Sequence, residues 1–556
     1  MHHRHVFVCL AMLSLLTGLM AGEVAEPTGT GETASWALGD PDSDRVEGTR
    51  TTRAYAELAL KPPAKPILVA VIDTGIDINH PDLKEVIWSN PGEVGGKPGV
   101  DDDGNGFIDD LHGWNFIGSR EGKQLVTSTM EVTRQLARLR KAAAAGTATP
   151  EQLEELPRIE AQYVQARSRR AQEFISLTMT TAVLTELANA LATQGATGTT
   201  PEEVAACVPS KPSGELYKEI YLNYAEKGAS LADMRRRLDE VRTVLDIQFG
   251  LDFDESTIIG DDPARLDQKG YGNPLVAEDP HAMHGTHVAG IISAVRGNNL
   301  GVAGQCAWVR ILPIRAVPDG DERDKDVANA IRYAVDCGAR IINMSFGKGI
   351  SPDKTYVDEA VRYAAAHDVL LVHGAGNSGE NTDLERFFPN QTALAPAAGG
   401  GEERFANWIE VGASSPERGK LAASFSNYGQ RNVDIFAPGT AILSTTLGGD
   451  TEEASGTSMA APELSGVAAL VWSQHPELSA VQLRQALLDN ARRYPGLRVS
   501  RPGSRNQRVP FESLSVCGGV VDAWLTLRAL APKPASDAGA VEPAGSGVPA
   551  AQPPLP

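Results

Sequence analysis

Short apolar runs rich in β-branched residues alternate with helical patterns along this chain, and this alternation constrains the fold most strongly. Residues 66–72 read P-I-L-V-A-V-I, the continuous apolar run expected of a strand that is buried on both faces. Similar runs lie at residues 309–314, 340–344 and 369–372, and a helical pattern occupies residues 325–337. Strands that alternate with helices predict an α/β fold with a mostly parallel sheet.

A long central region, from about residue 118 to residue 280, lacks these strand-like runs and is rich in Ala, Leu, Glu and Arg. Thr149 and Thr200 mark helix N-termini there, because each precedes a proline and is followed three residues later by Gln or Glu. Ser230, with an aspartate three positions later, marks another. The sequence therefore predicts a helical insertion at residues 121–265 that is packed separately from the parallel sheet.

Both ends of the chain differ in composition from its middle. Residues 1–22 begin with basic residues, continue through roughly 15 apolar residues and end in small ones, which is typical of a cleaved signal peptide. Residues 23–60 are polar and predict an extended N-terminal arm, whereas residues 532–556 are rich in Pro, Ala and Gly and predict a disordered tail. Residues 61–120 and 266–531 then form the main domain. We expect a secreted or periplasmic protein without a stable membrane span.

The net charge of the chain limits the classes of molecule that it is expected to bind. Lys and Arg number 51 against 71 Asp and Glu, which gives a formal net charge of −20. Such an excess of carboxylates repels the phosphates of nucleic acids, so we expect no nucleic-acid partner. Four cysteines lie beyond the predicted signal peptide, and none has the C-x-x-C spacing of a structural zinc site. Their pairing and the oligomeric state stay open.

Four short segments carry residues suited to catalysis. A-V-I-D-T-G-I-D surrounds Asp73, H-G-T-H-V-A-G spans residues 284–290, A-G-N spans residues 375–377 and G-T-S-M-A-A-P spans residues 456–462. In this order they resemble the motifs of the subtilisin family, or subtilases. The resemblance implies a three-layer α/β fold with a mostly parallel sheet, here with a helical insertion. It also implies a serine endopeptidase that acts on protein or peptide substrates.

The resemblance assigns a role to each motif. Ser458 is the nucleophile that forms an acyl-enzyme, and because a serine hydroxyl is a poor nucleophile at neutral pH, His284 takes its proton during attack. Asp73 orients the imidazole and stabilises its cationic form, so the chemistry needs no cofactor. The amide of Ser458 and the side chain of Asn377 donate hydrogen bonds to the oxyanion. Pro462 lacks the N–H that would bond the carbonyl of Ser458, so the first turn of this helix should be bent.

In the subtilisin family, backbone on both sides of the substrate channel pairs with an extended peptide. The matching residues here are Ser345, Phe346 and Gly347 on one side and Gly374, Ala375 and Gly376 on the other. Recognition would therefore be by strand addition, which accepts many sequences. The later walls of the pocket that selects a side chain lie between Gly379 and Asn407, and the sequence does not place them.

An acidic segment, D-D-D-G-N-G-F-I-D-D at residues 101–110, has the alternating oxygen ligands and the glycine of compact calcium loops. The predicted ligands of a structural calcium ion are Asp101, Asp103, Asn105 and Asp109. The twelfth position is His112 rather than Glu, so Asp109 or Asp110 must supply the later carboxylate. An uncomplexed acidic turn is the alternative.

Two further residues allow a metal interpretation. Asp82, in H-P-D-L, matches a calcium-ligating position of the subtilisin family, with residues 297–304 as the partner loop. His287 lies three residues after His284, a spacing that metal ligands use. The resemblance makes His287 a packed neighbour of the site instead.

The chain also departs from the subtilisin family. Asp73 and His284 are 211 positions apart, far more than in most subtilases. Residues 23–60 are too few for a folded inhibitory propeptide, and the segment W-A-L-G-D-P-D-S-D-R-V-E-G resembles the leader of bacterial subtilases that carry an acidic loop and a helical insertion. Two alternatives stand beside a general endopeptidase: a binding protein on an inactive protease fold, and a processing peptidase whose insertion admits one dedicated partner. The first is disfavoured because every catalytic position is filled.

Overall fold

The computed structural model of the chain describes residues 35–226, 230–277, 282–394 and 402–531. The predicted signal peptide at residues 1–22 and the predicted tail at residues 532–556 lie outside the described residues. So do residues 23–34 of the predicted arm.

The strands of the described residues are β1 (Ile67–Asp73), β2 (Trp114–Asn115), β3 (Val309–Arg315), β4 (Ile341–Met344), β5 (Leu370–Gly374), β6 (Trp408–Ser414), β7 (Ile435–Pro438), β8 (Ile442–Thr445), β9 (Thr451–Ala454), β10 (Arg492–Arg493), β11 (Arg498–Ser500), β12 (Arg508–Pro510) and β13 (Gly519–Val520). Nine of them form one sheet in the spatial order β10-β13-β7-β6-β5-β4-β1-β3-β2. All neighbours in it are parallel except β10 and β13. β8 pairs with β9, and β11 pairs with β12, as separate antiparallel pairs.

The α-helices of the described residues are α1 (Thr51–Glu57), α2 (Glu131–Ala145), α3 (Pro150–Ala192), α4 (Pro201–Ala206), α5 (Pro212–Glu226), α6 (Leu231–Thr243), α7 (Ser256–Ile259), α8 (Met283–Ser293), α9 (Asp324–Asp336), α10 (Lys354–Ala366), α11 (Thr457–Gln474), α12 (Ala480–Asp489) and α13 (Ala523–Leu530). A π-helical turn, Val244–Gln248, continues α6. Short 3₁₀ turns lie at Trp36–Leu38, Arg418–Lys420, Leu447–Gly449 and Phe511–Ser513.

Helices cover both faces of the large sheet. Side chains of β1 alternate between the faces, with Val69 and Val71 in one apolar cluster and Ala70 and Ile72 in another. Helices α8, α11, α12 and α13 pack on the first face, and α9 and α10 pack on the second. The predicted three-layer α/β fold with a mostly parallel sheet is therefore confirmed.

Helices α2 to α6 form the inserted region. Thr149 and Thr200 make the capping boxes that the sequence predicts, and Ser230 caps α6. An apolar cluster from α3 to α6, which includes Leu184 and Leu191, contains no residue of the sheet among those described. By length and composition α3 is the one helix of the described chain that could cross a membrane, and 22% of its apolar window is buried.

The described part of the N-terminal arm is packed rather than extended. Trp36–Leu38 forms a 3₁₀ turn, α1 follows, and Ala37 and Ala54 are buried in the cluster beneath the first face of the sheet. Residues 35–60 thus differ from the expected extended arm, because a few apolar side chains suffice when they join an existing core.

Candidate active site

Asp73 and His284 form a hydrogen-bonded pair at the carboxyl end of β1. Asp73 is the last residue of this strand and is buried, and His284 is the second residue of α8. Nδ1 of His284 lies 2.7 Å from Oδ1 of Asp73. Burial opposes a charge on His284, but the Asp73 carboxylate and its hydrogen bond outweigh this effect, so the pKa of His284 is raised. The pair thus favours the imidazolium that forms when a base takes up a proton.

Ser458 follows Gly456 and Thr457 at the N-terminus of α11. In the described chain its Oγ donates a hydrogen bond to the carbonyl oxygen of Ser345 at 3.1 Å, and not to His284 as the assigned roles require. Rotation about the Cα–Cβ bond of Ser458 moves the hydroxyl between staggered positions, and catalytic hydrogen bonds often form only when substrate is bound. The arrangement is therefore compatible with His284 as the base.

The carbonyl of Ser458 lacks its helical N–H partner because Pro462 occupies the position four residues later. The hydroxyl of Ser345 donates to that carbonyl instead, at 2.9 Å. Asn343 Nδ2 donates to Ser345 Oγ, and Ser465 donates to Asn343 Oδ1. These hydrogen bonds tie the end of β4 to the first turns of α11, which fixes the predicted nucleophile Ser458 relative to the predicted substrate segment.

Asn377 is oriented by α11, the helix that carries the predicted nucleophile Ser458. Its Oδ1 accepts hydrogen bonds from the amide of Thr457 at 2.9 Å and from the Thr457 hydroxyl at 3.1 Å. A Cβ added to Gly456 would lie 3.6 Å from Asn377 Nδ2 and 3.5 Å from the amide nitrogen of Ser458. The two predicted donors therefore border one open space, where an oxyanion would meet both of them.

The two predicted substrate segments differ in how they are bonded. Ser345–Gly347 continues from β4 and brings Ser345 against the nucleophile. On the other side, the N–H groups of Ala375 and Gly376 are bonded within the protein, that of Gly376 to Thr457 Oγ1 at 3.0 Å. Gly374 also packs against the backbone of Thr457. These two N–H groups are not free to pair with a peptide. On the first segment the carbonyl oxygens of Ser345 and Phe346 are bonded as well, to Ser458 Oγ and to Nε2 of His373.

The two alternative metal residues are held by protein groups. Nε2 of His287 lies 3.0 Å from the carbonyl oxygen of Glu452, and burial lowers the pKa of His287 to about 4. A neutral imidazole that donates to a carbonyl is a packed neighbour, as the resemblance implies. Asp82 accepts hydrogen bonds from Asn298 Nδ2 at 2.7 Å and from the amide of Val302 at 3.1 Å, so it does meet its predicted partner loop.

The acidic segment brings two of the predicted calcium ligands, Asp101 and Asp103, close to a third carboxylate, that of Glu93. Carboxylate oxygens of Glu93, Asp101 and Asp103 lie within 4.8 Å of one another, a spacing at which one cation contacts all three. The D-D-D-G-N-G motif does not predict Glu93, because this residue precedes it in the sequence. A glutamate in N-P-G-E, eight positions before Asp101, was the available signal.

Asn105 and Asp109 do not fit the predicted roles equally well. The carboxylate of Asp109 accepts a hydrogen bond from the amide of Gly99 at 2.8 Å, and Asp109 is not in the group of three. Nδ2 of Asn105 donates to Asp103 at 3.2 Å and to Asp110 at 3.1 Å. The roles of Asp109 and Asn105 as calcium ligands stay predictions, and the carboxylate of Glu93 is a further candidate beside Asp101 and Asp103.

Comparison with known proteins agrees with this geometry. The model of the Subtilase family matches residues 64–509, so the chain belongs to the subtilase family of serine peptidases. The chain is 40% identical over 214 residues to the Thermophilic serine proteinase of Bacillus sp. (strain AK1), which covers 38% of this chain and 48% of that protein. It is 35% identical over 209 residues to Subtilisin BL of Lederbergia lenta, covering 37% of this chain and 70% of that protein.

A third relative is the Cell wall-associated protease of Bacillus subtilis (strain 168). The chain is 35% identical to it over 225 residues, which are 40% of this chain and 23% of that protein. The chain thus spans about half the length of the Bacillus proteinase and less of the cell-wall relative.

Proposed function

We propose that this chain is a serine endopeptidase that hydrolyses peptide bonds in extracytoplasmic proteins through an acyl-enzyme on Ser458. The observation that carries the proposal is the hydrogen-bonded pair of Asp73 and His284 beside a helix N-terminus, where Ser458 and Asn377 border one open space. Membership of the subtilase family supports the same assignment.

Each of these residues then has a role in peptide hydrolysis that its position allows. His284 takes the proton of Ser458 as the hydroxyl oxygen bonds to the substrate carbonyl carbon, while Asp73 stays ionised and stabilises the imidazolium. The oxyanion receives N–H groups from Ser458 and Asn377. His284 returns the proton to the leaving amine as the C–N bond breaks, and water attacks the acyl-enzyme by the same route.

A fluorophosphonate probe tests this function directly. The probe should label Ser458 in the purified full chain, as located by peptide mapping, and Ser458→Ala should abolish both labelling and digestion of unfolded casein. Proteolysis that persists in Ser458→Ala would reject the assignment. Labelling of Ser458 without any digestion of casein would favour the processing peptidase with a dedicated partner.

An extracytoplasmic location is part of the proposal. It is supported by the signal-like residues 1–22 and by the cell-wall location in the name of the Bacillus subtilis relative. Mass spectrometry of protein recovered outside producing cells should show an N-terminus near residue 22. Recovery of the intact N-terminus from the cytoplasm would contradict it.

We also propose that the acidic segment binds calcium through Glu93, Asp101 and Asp103. Three carboxylates this close repel one another, and a divalent cation removes the repulsion. Hard oxygen donors fit calcium, which would stabilise the loop and take no part in the peptide chemistry. At about a thousand times the dissociation constant, binding to the folded state alone contributes roughly 4 kcal/mol.

Calorimetry with matched variants tests the ligand set. Calcium should raise the melting temperature of the wild type, and Glu93→Gln and Asp103→Asn should abolish most of the response, leaving any contribution from Asp82. Asp109→Asn is the control and should keep the response. Identical melting curves in calcium and in chelator for the wild type would identify the segment as an uncomplexed acidic turn.

A further inference from the structure

One aromatic ring, that of Phe387, lies against a glycine of each substrate segment. A Cβ added to Gly347 would lie 2.5 Å from Cε1 and 2.6 Å from Cζ of Phe387. A Cβ added to Gly376 would lie 3.2 Å from the same Cε1. The edge of the ring therefore occupies the space that two residues without side chains leave between the segments.

The ring is held in place by the residue that follows the first substrate segment and by its own neighbours. The amide and carbonyl of Phe388 each pair with Lys348, the residue after Gly347, at 2.9 Å. The carbonyl of Phe387 accepts a hydrogen bond from Asn390 Nδ2 at 2.8 Å, and the Phe387 ring centroid lies 5.9 Å from that of His373. Backbone pairing on one side and a packed ring on the other fix Phe387 in position, and its side chain is half-buried.

The position of this ring relative to the nucleophile determines which substrate residue meets it. The carbonyl of Ser345, two residues before Gly347, accepts the hydrogen bond of Ser458 Oγ at 3.1 Å. Asn377 follows Gly376 directly and is the proposed oxyanion donor. The space between the glycines is thus next to the carbonyl under attack, and a second large side chain forced into it would overpack the site.

We propose that Phe387 limits the substrate residue whose carbonyl is attacked to a small side chain, that of glycine, alanine or serine. The inference rests on the proposed peptidase function and specifies its substrate class. Phe387 acts as a specificity-determining residue that fills the pocket, and it takes no part in bond making or breaking.

Two octapeptides test the proposal, both based on a casein sequence that the wild type cuts. They differ only in the residue before the cleaved bond, which is Ala in one and Phe in the other. The wild-type kcat/KM should be higher for the Ala peptide by about a hundredfold or more, within the range that a pocket of fixed size achieves. Phe387→Ala should reduce this ratio by about tenfold or more, because the aromatic side chain enters the vacated space.

Controls separate this inference from a general loss of activity. Phe253→Ala removes a half-buried ring of the central region and should leave the ratio unchanged. The rate at which a fluorophosphonate labels Ser458 should be the same in Phe387→Ala as in the wild type. Phe387→Leu, which keeps an apolar side chain, provides the same measurement if Phe387→Ala does not fold.

The outcomes are distinct. Equal cleavage of both peptides by the wild type, or an unchanged ratio when Phe387 is replaced, would overturn the inference and leave the peptidase function intact. A wild type that is neither labelled at Ser458 nor active on casein would overturn the peptidase function, and the inference with it.

Discussion

The catalytic core and the base of the helical insertion bury acidic groups in opposite ways. In the core, burial raises the pKa of Glu463 to about 8 and that of Glu322 to about 7. At the base of the insertion burial acts in the same direction on Glu131 and Glu255, but their charged and hydrogen-bonding partners together outweigh it and lower both pKa values. Arg134 acts on both acids, with Lys348 for Glu131 and Arg323 for Glu255. Burial therefore shifts these two core acids towards their neutral forms, whereas the acids at the base of the insertion are held ionised by charged partners.

The insertion contacts Lys348, the residue that follows the predicted substrate segment Ser345–Gly347. Lys348 is buried, and its Nζ lies 2.9 Å from both Glu131 Oε2 and Asp324 Oδ1 and 2.7 Å from the carbonyl of Glu322. Residue Asp319, ahead of α9, pairs its amide and carbonyl with residues 126–128 at the start of the insertion. The insertion is thus joined both to the core and to the residue that follows Gly347.

The largest expected contrast between the two regions is catalytic. His284→Ala should reduce kcat by about a millionfold, because the nucleophile and its base act as a unit. Glu160→Gln, which breaks an exposed ion pair with Arg140 in the insertion, should leave kcat unchanged. Steady-state rates on a casein-derived peptide measure both. A His284→Ala enzyme that keeps more than a hundredth of wild-type kcat would show that another group serves as the base.

The second contrast concerns stability. Glu131→Gln leaves the buried Lys348 with a reduced set of partners and should lower the free energy of unfolding by about 3–5 kcal/mol. Glu160→Gln is again the control, since its ion pair is exposed and its loss should scarcely move the transition. Urea unfolding followed by circular dichroism gives both values. Equal transitions in the two variants would show that the insertion is not held by the Lys348 pair.

Local patterns determined which parts of the molecule were predictable. The buried strands β1, β3, β4 and β5 and helix α9 follow from apolar runs and helical spacing, and Asp73, His284 and Ser458 follow from contiguous motifs. The helix caps at Thr149 and Thr200 in the insertion were also predictable from the sequence. Whether residues 121–265 fold independently stays a prediction, because α2 is tied to the core through Glu131.

The missed residues share a different property. Glu93 lies outside the calcium-like motif, Phe387 lies in a segment without regular structure, and Lys348 is one residue beyond a motif. Each acquires its role from side chains that are distant in the sequence, such as Glu131 for Lys348. Single-sequence patterns report local periodicity and do not report these tertiary contacts.

A smaller effect on catalysis is expected at the oxyanion site. Asn377→Leu should lower kcat by about a hundred- to a thousandfold with little change in KM, because the donor acts mainly on the transition state. Gln194→Leu, which changes an amide of similar type in the insertion, should alter neither constant. An unchanged kcat in Asn377→Leu would show that a group other than Asn377 donates to the oxyanion together with the Ser458 amide.

The smallest expected effect concerns pH and the neutral acids of the core. Glu463 lies five residues after Ser458 in α11, and Gln305 Nε2 donates to its carboxyl, while Gln305 Oε1 accepts from the hydroxyl of Thr51. Among the described groups that shift its pKa, Gln305 alone opposes the effect of burial. The buried carboxyl is therefore uncharged at neutral pH and links the nucleophile helix to the N-terminal segment.

The sign of the pH dependence follows from that raised pKa. The folded value of about 8 exceeds the ordinary 4.5, so the protonated carboxyl contributes stability that is full below pH 4.5 and is lost as pH rises through about 8. Glu463→Gln keeps a hydrogen-bonding side chain that does not ionise, and it should flatten the decline in melting temperature between pH 5 and about pH 8. Glu160→Gln, in the insertion, should leave the decline unchanged. If Glu463→Gln and the wild type decline in parallel, the pH response belongs to other groups such as Glu322.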